Sequence, residues 1–587
     1  MRIRSFLDEG AQAHRLVRSS TGHALALGLL YVGGSSLAVA QRVPTDERAP
    51  KLIVLLAVDQ MRADYIDRFQ QQWSHGLKRL VTQGAWFRQA EYPYYNTVTC
   101  AGHSSIGTGT IPAVHGMILN NWWDREARKL VYCTGDDSAK TISYGKPVTT
   151  AGESPARLRT TTLADELSAQ LSPAARIIGF SLKARSVVTL SGRRPAAAAW
   201  FDDSGTWVTS TAFAAGPVAE VADFISRNPV EKDFGKVWDR ALPKERYLFE
   251  DPAVGARPAK GLTNAFPHLL KGGSLSPDAM YYDQWQSSPM ADEYLAHMAL
   301  DVAEHLKLGT TASTDMIVIS FSTLDKVGHD FGPHSHEIQD VVIRLDRTLG
   351  DFFEGLDRLV GPANYTVALS ADHGVAPMPE RSIAAGFDAG RIIPSTFVAQ
   401  VEQILGKELG PGQHIDYFAH TDLYLAPGVY DTLKAQPAVM ETVCAEIRSL
   451  VGVREVYTRD ELIADRFDDD PIARRVARSF YAPRSGDLVV SLKPYWIIQA
   501  DGATHGTGYG YDTHVPLLLM GKGIARGEYR TPASPTDIAP TLAFLAGVTL
   551  PRVSGRVLIE ALTRKPGTTH AALGGALHRA EPRNDLR

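Results

Sequence analysis

Cysteine is scarce in this sequence: three residues in 587. That excludes a disulfide-dense scaffold and a four-thiolate zinc site, and allows at most one bridge within the chain. A charge excess is also missing, since 61 Lys and Arg stand against 65 Asp and Glu for a formal net charge of −4. Nothing global pulls such a chain toward nucleic acid, so no nucleic-acid binding is expected and any anion site must be local. No Gly-x-x-x-x-Gly-Lys-Ser/Thr loop is present, and Gly107-x-Gly109 is too short to suggest a dinucleotide fold. Apolar residues are plentiful at 44%, enough for a large core, so a mainly disordered chain is ruled out. The length suits several domains or one large enzyme core with insertions.

Arg2, Arg4, Arg15 and Arg18 precede an apolar stretch from Ala24 to Leu37, and Ala38-Val39-Ala40 follows as a small-x-small site. This is the layout of a secretory signal peptide over residues 1–40. Gly33-Gly34-Ser35-Ser36 breaks the apolar run, which is short for a membrane span. No second run long enough to span follows, so the mature protein is expected to be exported, periplasmic or secreted, without a membrane segment. The leader carries four Arg against Asp8 and Glu9, so its removal takes the net charge from −4 to −6. Export would permit a Cys100–Cys133 or a Cys133–Cys444 bridge, and the sequence does not choose between them.

The run Leu52-Ile53-Val54-Leu55-Leu56-Ala57-Val58 reads as a strand buried on both faces, hence in a parallel sheet covered by helices. Similar runs recur at 176–182, 316–322, 365–370 and 515–520. Between two of them, Ile338, Val341, Val342, Leu345, Leu349, Phe352 and Phe353 follow a helical period. The alternation predicts an α/β, doubly wound, mostly parallel sheet flanked by helices. Residues 41–563 form the expected catalytic domain, interrupted by a loop-rich insertion over about 205–310 and a small α+β unit over about 380–500. Helical periodicity falls near 395–407 and 431–451, and 487–492 is strand-like. The Gly/Ala/Arg-rich tail 564–587 is expected to be unstructured.

The acids and histidines fall at strand ends. Asp59 follows the first strand, Asp325 and His329 follow the 316–322 run, and Asp372-His373-Gly374 follows 365–370. His505 lies in Thr504-His505-Gly506, just before the last apolar run. Ligands of an open parallel sheet bind beyond the carboxyl ends of its strands, so these groups are expected to converge. One Asp at a strand end is ordinarily a turn former, and one His in a Gly-rich loop a solvated residue. Six such groups on one edge point to metal, and a mixed imidazole and carboxylate set of this size suits two Zn²⁺ ions. Structural Ca²⁺ and oligomeric state are not readable.

A nucleophile is offered by Asn96-Thr97-Val98-Thr99-Cys100-Ala101-Gly102-His103, where small residues suggest a helix start with Thr99 at or near its N-cap. A helix amino terminus gathers anions, and a metal beside the hydroxyl would lower its pKa. Cys100 lacks the Pro and Arg of the Cys-x-Pro-x-Arg sulfatase motif and reads as a packing residue.

Taken in order, Asp59, Thr99-x-x-Gly102-His103, Pro112-Ala113-Val114-His115-Gly116, Asp325-x-x-x-His329, Asp372-His373-Gly374 and His505-Gly506 resemble the alkaline phosphatase superfamily. The likeness is to its type I phosphodiesterase/nucleotide pyrophosphatase and PafA/PhoK-like alkaline phosphatase branches, and runs from about Lys51 to Leu562. It implies the alkaline-phosphatase-like fold, with one zinc on Asp325, His329 and His505. The other would sit on Asp59, Asp372, His373 and the Thr99 hydroxyl. It also implies that Asn120 or its neighbour Asn121 binds a phosphoryl oxygen, and that Lys183-Ala184-Arg185 matches the Lys-x-Arg pair of the monoesterases. Residues i and i+2 on an extended segment point the same way, so both cations are expected to reach one ligand. Two cations favour a monoester dianion over a singly charged diester.

The implied enzyme is a phosphoric monoester hydrolase, an alkaline phosphatase acting on small phosphate monoesters through a phosphothreonine at Thr99. The nearest rival is a phosphodiesterase or nucleotide pyrophosphatase. A sulfatase lacks its motif, and a cofactor-independent phosphoglycerate mutase would show a Ser nucleophile and no leader. Outside enzymology, the alternative is an exported zinc- or phosphate-binding protein without turnover.

Overall fold

The computed structural model describes residues 49–563 apart from 468. The leader over 1–40 and the tail over 564–587 lie outside the described residues. An eleven-stranded sheet organises the chain. Its strands include β1 (Leu52–Val58), β2 (Ile177–Ser181), β3 (Ala197–Asp202), β4 (Asp315–Phe321), β5 (Tyr365–Ser370) and β6 (Leu517–Gly521). The central order is β6-β5-β1-β4-β2-β3. Short strands Ala85–Phe87 and Gly527–Tyr529 extend it beyond β6, and Thr206–Ser210, Gly135–Ser143 and Ala151–Glu153 extend it beyond β3.

Strands β5, β1, β4, β2 and β3 are mutually parallel. Outside them the pairing turns antiparallel, at β6 on one side and Thr206–Ser210 on the other, so the sheet is mixed. The 515–520 run, expected as another parallel strand, is therefore corrected: β6 runs against β5. Apolar periodicity reports burial and not direction, which is why the sequence left this open.

Burial explains the central strands. In β1, Leu52, Val54, Leu56 and Val58 enter the core on one face, and Ile53, Leu55 and Ala57 the core on the other. Each fully buried aliphatic side chain contributes roughly 1.5–3 kcal/mol, so a strand apolar on both faces has one stable place, inside the sheet. The helix His336–Leu359 buries the stripe Ile338, Val341, Val342, Leu345, Leu349, Phe352 and Phe353 as its spacing predicts; Ser335 caps its start through Oγ and Ile338 N–H.

Within 205–310, Thr206–Ser210 joins the large sheet and Pro289–His305 forms a 17-residue helix, with short helices and irregular chain between them. Within 380–500, four strands (Ile415–Ala419, Asp422–Leu425, Leu488–Leu492 and Val453–Thr458, in that spatial order) form a second sheet. Helices Pro394–Leu409 and Pro437–Arg448 pack on it around a separate apolar core. No helix among the described residues is long and apolar enough to cross a membrane.

Candidate metal and phosphoryl site

Asp59 leaves β1, Asp372 and His373 leave β5, and Asp325 with His329 lie on helix α3 (Thr323–Phe331) after β4. His505 precedes β6. Because that strand is antiparallel, a residue ahead of it reaches the same sheet edge as residues that follow the parallel strands. The four segments therefore meet, as expected, and the reversed direction of β6 is what brings His505 there.

The three candidate histidine ligands are held alike. His329 Nδ1 lies 2.7 Å from the Ala503 carbonyl, His505 Nδ1 2.8 Å from that of Thr97, and His373 Nδ1 2.9 Å from that of Gly374. A carbonyl only accepts, so each Nδ1 carries the proton and donates, and each Nε2 faces the acids. His329 Nε2 is 3.2 Å and His505 Nε2 3.7 Å from Asp325 Oδ1, and His373 Nε2 is 3.1 Å from Asp372 Oδ2 and 3.5 Å from Asp59 Oδ1.

Among the described residues, Asp59 Oδ1, Asp372 Oδ2 and His373 Nε2 are buried with no hydrogen-bond partner. Orphaned buried oxygens and an orphaned imidazole nitrogen are costly unless a cation takes them, so the donor set fits divalent metal. Ligand atoms of Asp325, His373 and His505 lie within 4.8 Å of one another, as do those of Asp59, His103 and Asp372. His373 thus stands between the two expected groups. His103 is differently placed: its Nδ1 lies 2.9 Å from Thr99 O and its Nε2 2.8 Å from Ser320 Oγ, so protein already engages both nitrogens.

Charge is concentrated here. Burial, reinforced by repulsion from Asp325 and Asp372, pushes Asp59 up to about 7 despite Lys183 and His373. Burial alone would also raise Asp325, but Lys183 and His329 hold it well below the carboxylate range. Burial lowers His373, and Asp372 and Asp59 outweigh that to bring it to about 9. Burial, then His373 and His329, drive His505 well below 6.5. A bound cation would displace the imidazole protons.

Thr99 is the first residue of helix α1 (Thr99–Thr108), next to the N-cap Val98, and is buried, which agrees with a position at or near the helix start. Gly102 lets this helix reach the acids, since a Cβ there would lie 2.2 Å from the Asp372 carbonyl oxygen. The Cys100 N–H donates to Asn120 Oδ1 at 2.8 Å, which turns the Asn120 NH₂ away from Cys100 as a free donor. Cys100 is more than a packing residue: it is bonded to Cys133, while Cys444 is buried and free. Cys133 N–H also donates to the Asn120 carbonyl at 3.0 Å.

The Lys183-x-Arg185 geometry differs from expectation. Lys183 is extended, but it caps helix α2 (Ala184–Ser191), so Arg185 is already helical and the two do not share one strand face. The Lys183 ammonium pairs with Asp59 Oδ2 at 2.5 Å and with Asp325 Oδ2, bridging two strand ends. Arg185 lies in the field of Glu153.

Sequence reasoning missed Gln60 and gave His103 no role. Gln60 is a polar residue after a strand, which carries no motif; His103 sits inside the quoted helix-start motif.

The type I phosphodiesterase/nucleotide pyrophosphatase family model matches residues 53–514. Alkaline phosphatase PafA of Elizabethkingia meningoseptica is 32% identical over 92% of this chain and 98% of its own length. Alkaline phosphatase PhoK of a Sphingomonas species is 30% identical over 87% and 91%, respectively. The crystal structure of wild-type PafA superposes with a TM-score of 0.80 at 32% identity, covering 88% of this chain and 99% of that one. The family match takes in β2 to β5 and both inserted segments, and this chain belongs to the type I phosphodiesterase/nucleotide pyrophosphatase family, as an enzyme of the alkaline phosphatase superfamily.

Proposed function

We propose that the protein is an exported, zinc-dependent alkaline phosphatase that hydrolyses small phosphate monoesters through a phosphothreonine at Thr99. The observation that carries this reading is that the helix opened by Thr99 sets Gly102 directly against Asp372, one of the orphaned acids, with Asn120 Oδ1 accepting from the backbone N–H of the residue after Thr99. Asp325, His329 and His505 would hold one cation, and Asp59, Asp372, His373 and the Thr99 hydroxyl the other. The mixed oxygen and nitrogen donor set suits zinc. When bound, such ions supply charge that lowers the Thr99 hydroxyl pKa and offsets the leaving oxygen.

The chain's own groups do the rest. Thr99 Oγ attacks phosphorus in line and the ester P–O bond breaks, the alcohol leaving, while Asn120, Lys183 and Arg185 bind the equatorial oxygens; water then attacks the phosphothreonine, breaking its Oγ–P bond to release phosphate and restore the Thr99 hydroxyl. His103, held by Ser320, braces the Thr99 carbonyl. A solved PafA variant is altered at a Thr, an Asn, a Lys and an Arg, the four residue types proposed here, which supports the set. The Cys100–Cys133 bond supports export, because disulfides persist in oxidising compartments.

The family model's description favours a second reading, a diesterase or nucleotide pyrophosphatase. Kinetics on a phosphomonoester, a phosphodiester and a sulfate ester after zinc reconstitution separate the two. A monoester kcat/KM well above the others is expected, and a preference for diester would overturn the proposal.

A further inference from the structure

Gln60 directly follows Asp59, is 1% exposed, and has a left-handed backbone with φ of 69°. An unbranched, non-glycine side chain is unfavourable in that region, where glycine or asparagine would be at ease. The conformation aims both polar ends of Gln60 at the acids. Its backbone N–H donates to Asp372 Oδ1 at 3.1 Å, and its side-chain Nε2 donates to Asp325 Oδ1 at 2.8 Å. Only the amide NH₂ can face a carboxylate, so Oε1 turns toward α3. There it meets Gly328, where a Cβ would lie 1.7 Å from Oε1. Glycine is thus the residue α3 can carry between Asp325 and His329 while Gln60 stays seated.

We infer that Gln60 is a positioning residue that joins the two metal half-sites, its main chain orienting Asp372 and its side-chain amide orienting Asp325. The inference rests on the two-cation reading above. Asp325 Oδ1 faces His329, His505 and Gln60, whereas Oδ2 faces Lys183. The amide therefore selects which carboxylate lone pairs remain for a cation. Hydrogen bonds behind metal ligands are commonly worth about 10–100-fold in metal affinity.

The test uses the full chain and reads metal content, not turnover. Gln60→Gly suits it, because glycine accepts the left-handed backbone and keeps the N–H to Asp372 while deleting the amide. Wild-type and variant chains are titrated with Zn²⁺ against a competing chelator. The expected result is two ions in the wild type, with one bound about 10–100-fold more weakly in Gln60→Gly and the other changed less than about threefold. Unchanged affinity for both ions, or equal weakening of both, would overturn the inference and leave the two-cation reading standing. A wild-type chain that takes up no divalent ion would overturn both. Should Gln60→Gly fail to fold by circular dichroism, Gln60→Met keeps the length without the amide donor and is read in the same way.

Discussion

The backbone N–H of Cys100 and the side chain of Asn120 are joined at 2.8 Å, and the bond partner of Cys100, Cys133, donates its own N–H to the Asn120 carbonyl. The residue proposed to bind a phosphoryl oxygen is thereby tied to the residue after the proposed nucleophile. The disulfide closes a separation of 33 residues, for which loop entropy gives a contribution of about 3–4 kcal/mol. Cys133→Ser should lower unfolding free energy by about that amount and also raise KM for a monoester. Denaturant unfolding and steady-state kinetics check this; a stable variant with unaltered KM would show that the bond does not position Asn120.

Thr99→Ala removes the only group proposed to carry the phosphoryl. Turnover should fall by about a thousandfold or more, while zinc content after dialysis stays near the wild-type value. Retained turnover would remove Thr99 as nucleophile.

Arg185 tests the preference for dianions. Arg185→Ala should reduce monoester kcat/KM by about 10–100-fold, the range of one charge-assisted hydrogen bond, and diester kcat/KM by much less. Equal losses on the two substrates would end the specificity argument. Lys183→Ala is the less clean change, because Lys183 also neutralises Asp59 and Asp325.

His115 gives the pH dependence of stability a definite sign. Burial, then Arg484, depress it from 6.5 to about 3. It accepts from Met117 N–H at Nδ1 and contacts Ser105 Oγ at Nε2, as a neutral ring would. Between those two values the unfolded chain binds a proton that the folded chain does not, so this contribution is full above pH 6.5 and is lost as pH falls. By pH 5 the loss amounts to about 2 kcal/mol. Unfolding free energies from pH 7 to 5 should fall more steeply for the wild type than for His115→Asn, and parallel slopes would contradict it.

Much of the fold was legible because buried runs are unambiguous. β1 begins and ends where its apolar residues do, at Leu52–Val58, and β5 over Tyr365–Ser370 is buried throughout. The acids and histidines were legible by position, each next to such a run. Direction was not: nothing in Leu517–Gly521 distinguishes an antiparallel strand from a parallel one. Lys183-x-Arg185 was misjudged because the helix begins at Ala184, inside the motif. The partner of Cys133 depends on which distant segments the fold brings together, and spacing does not encode that. Gln60 acts through a backbone angle, which a side-chain pattern cannot show.

The hydrogen bond from His505 to the Thr97 carbonyl spans 408 positions of the chain. On the proposed ligand set, metal uptake would therefore come late in the life of the polypeptide. A chain cut short before residue 505 would keep β1, β4 and β5 yet lack His505, so a filled pocket would report that segments as far apart as Thr97 and His505 had already met.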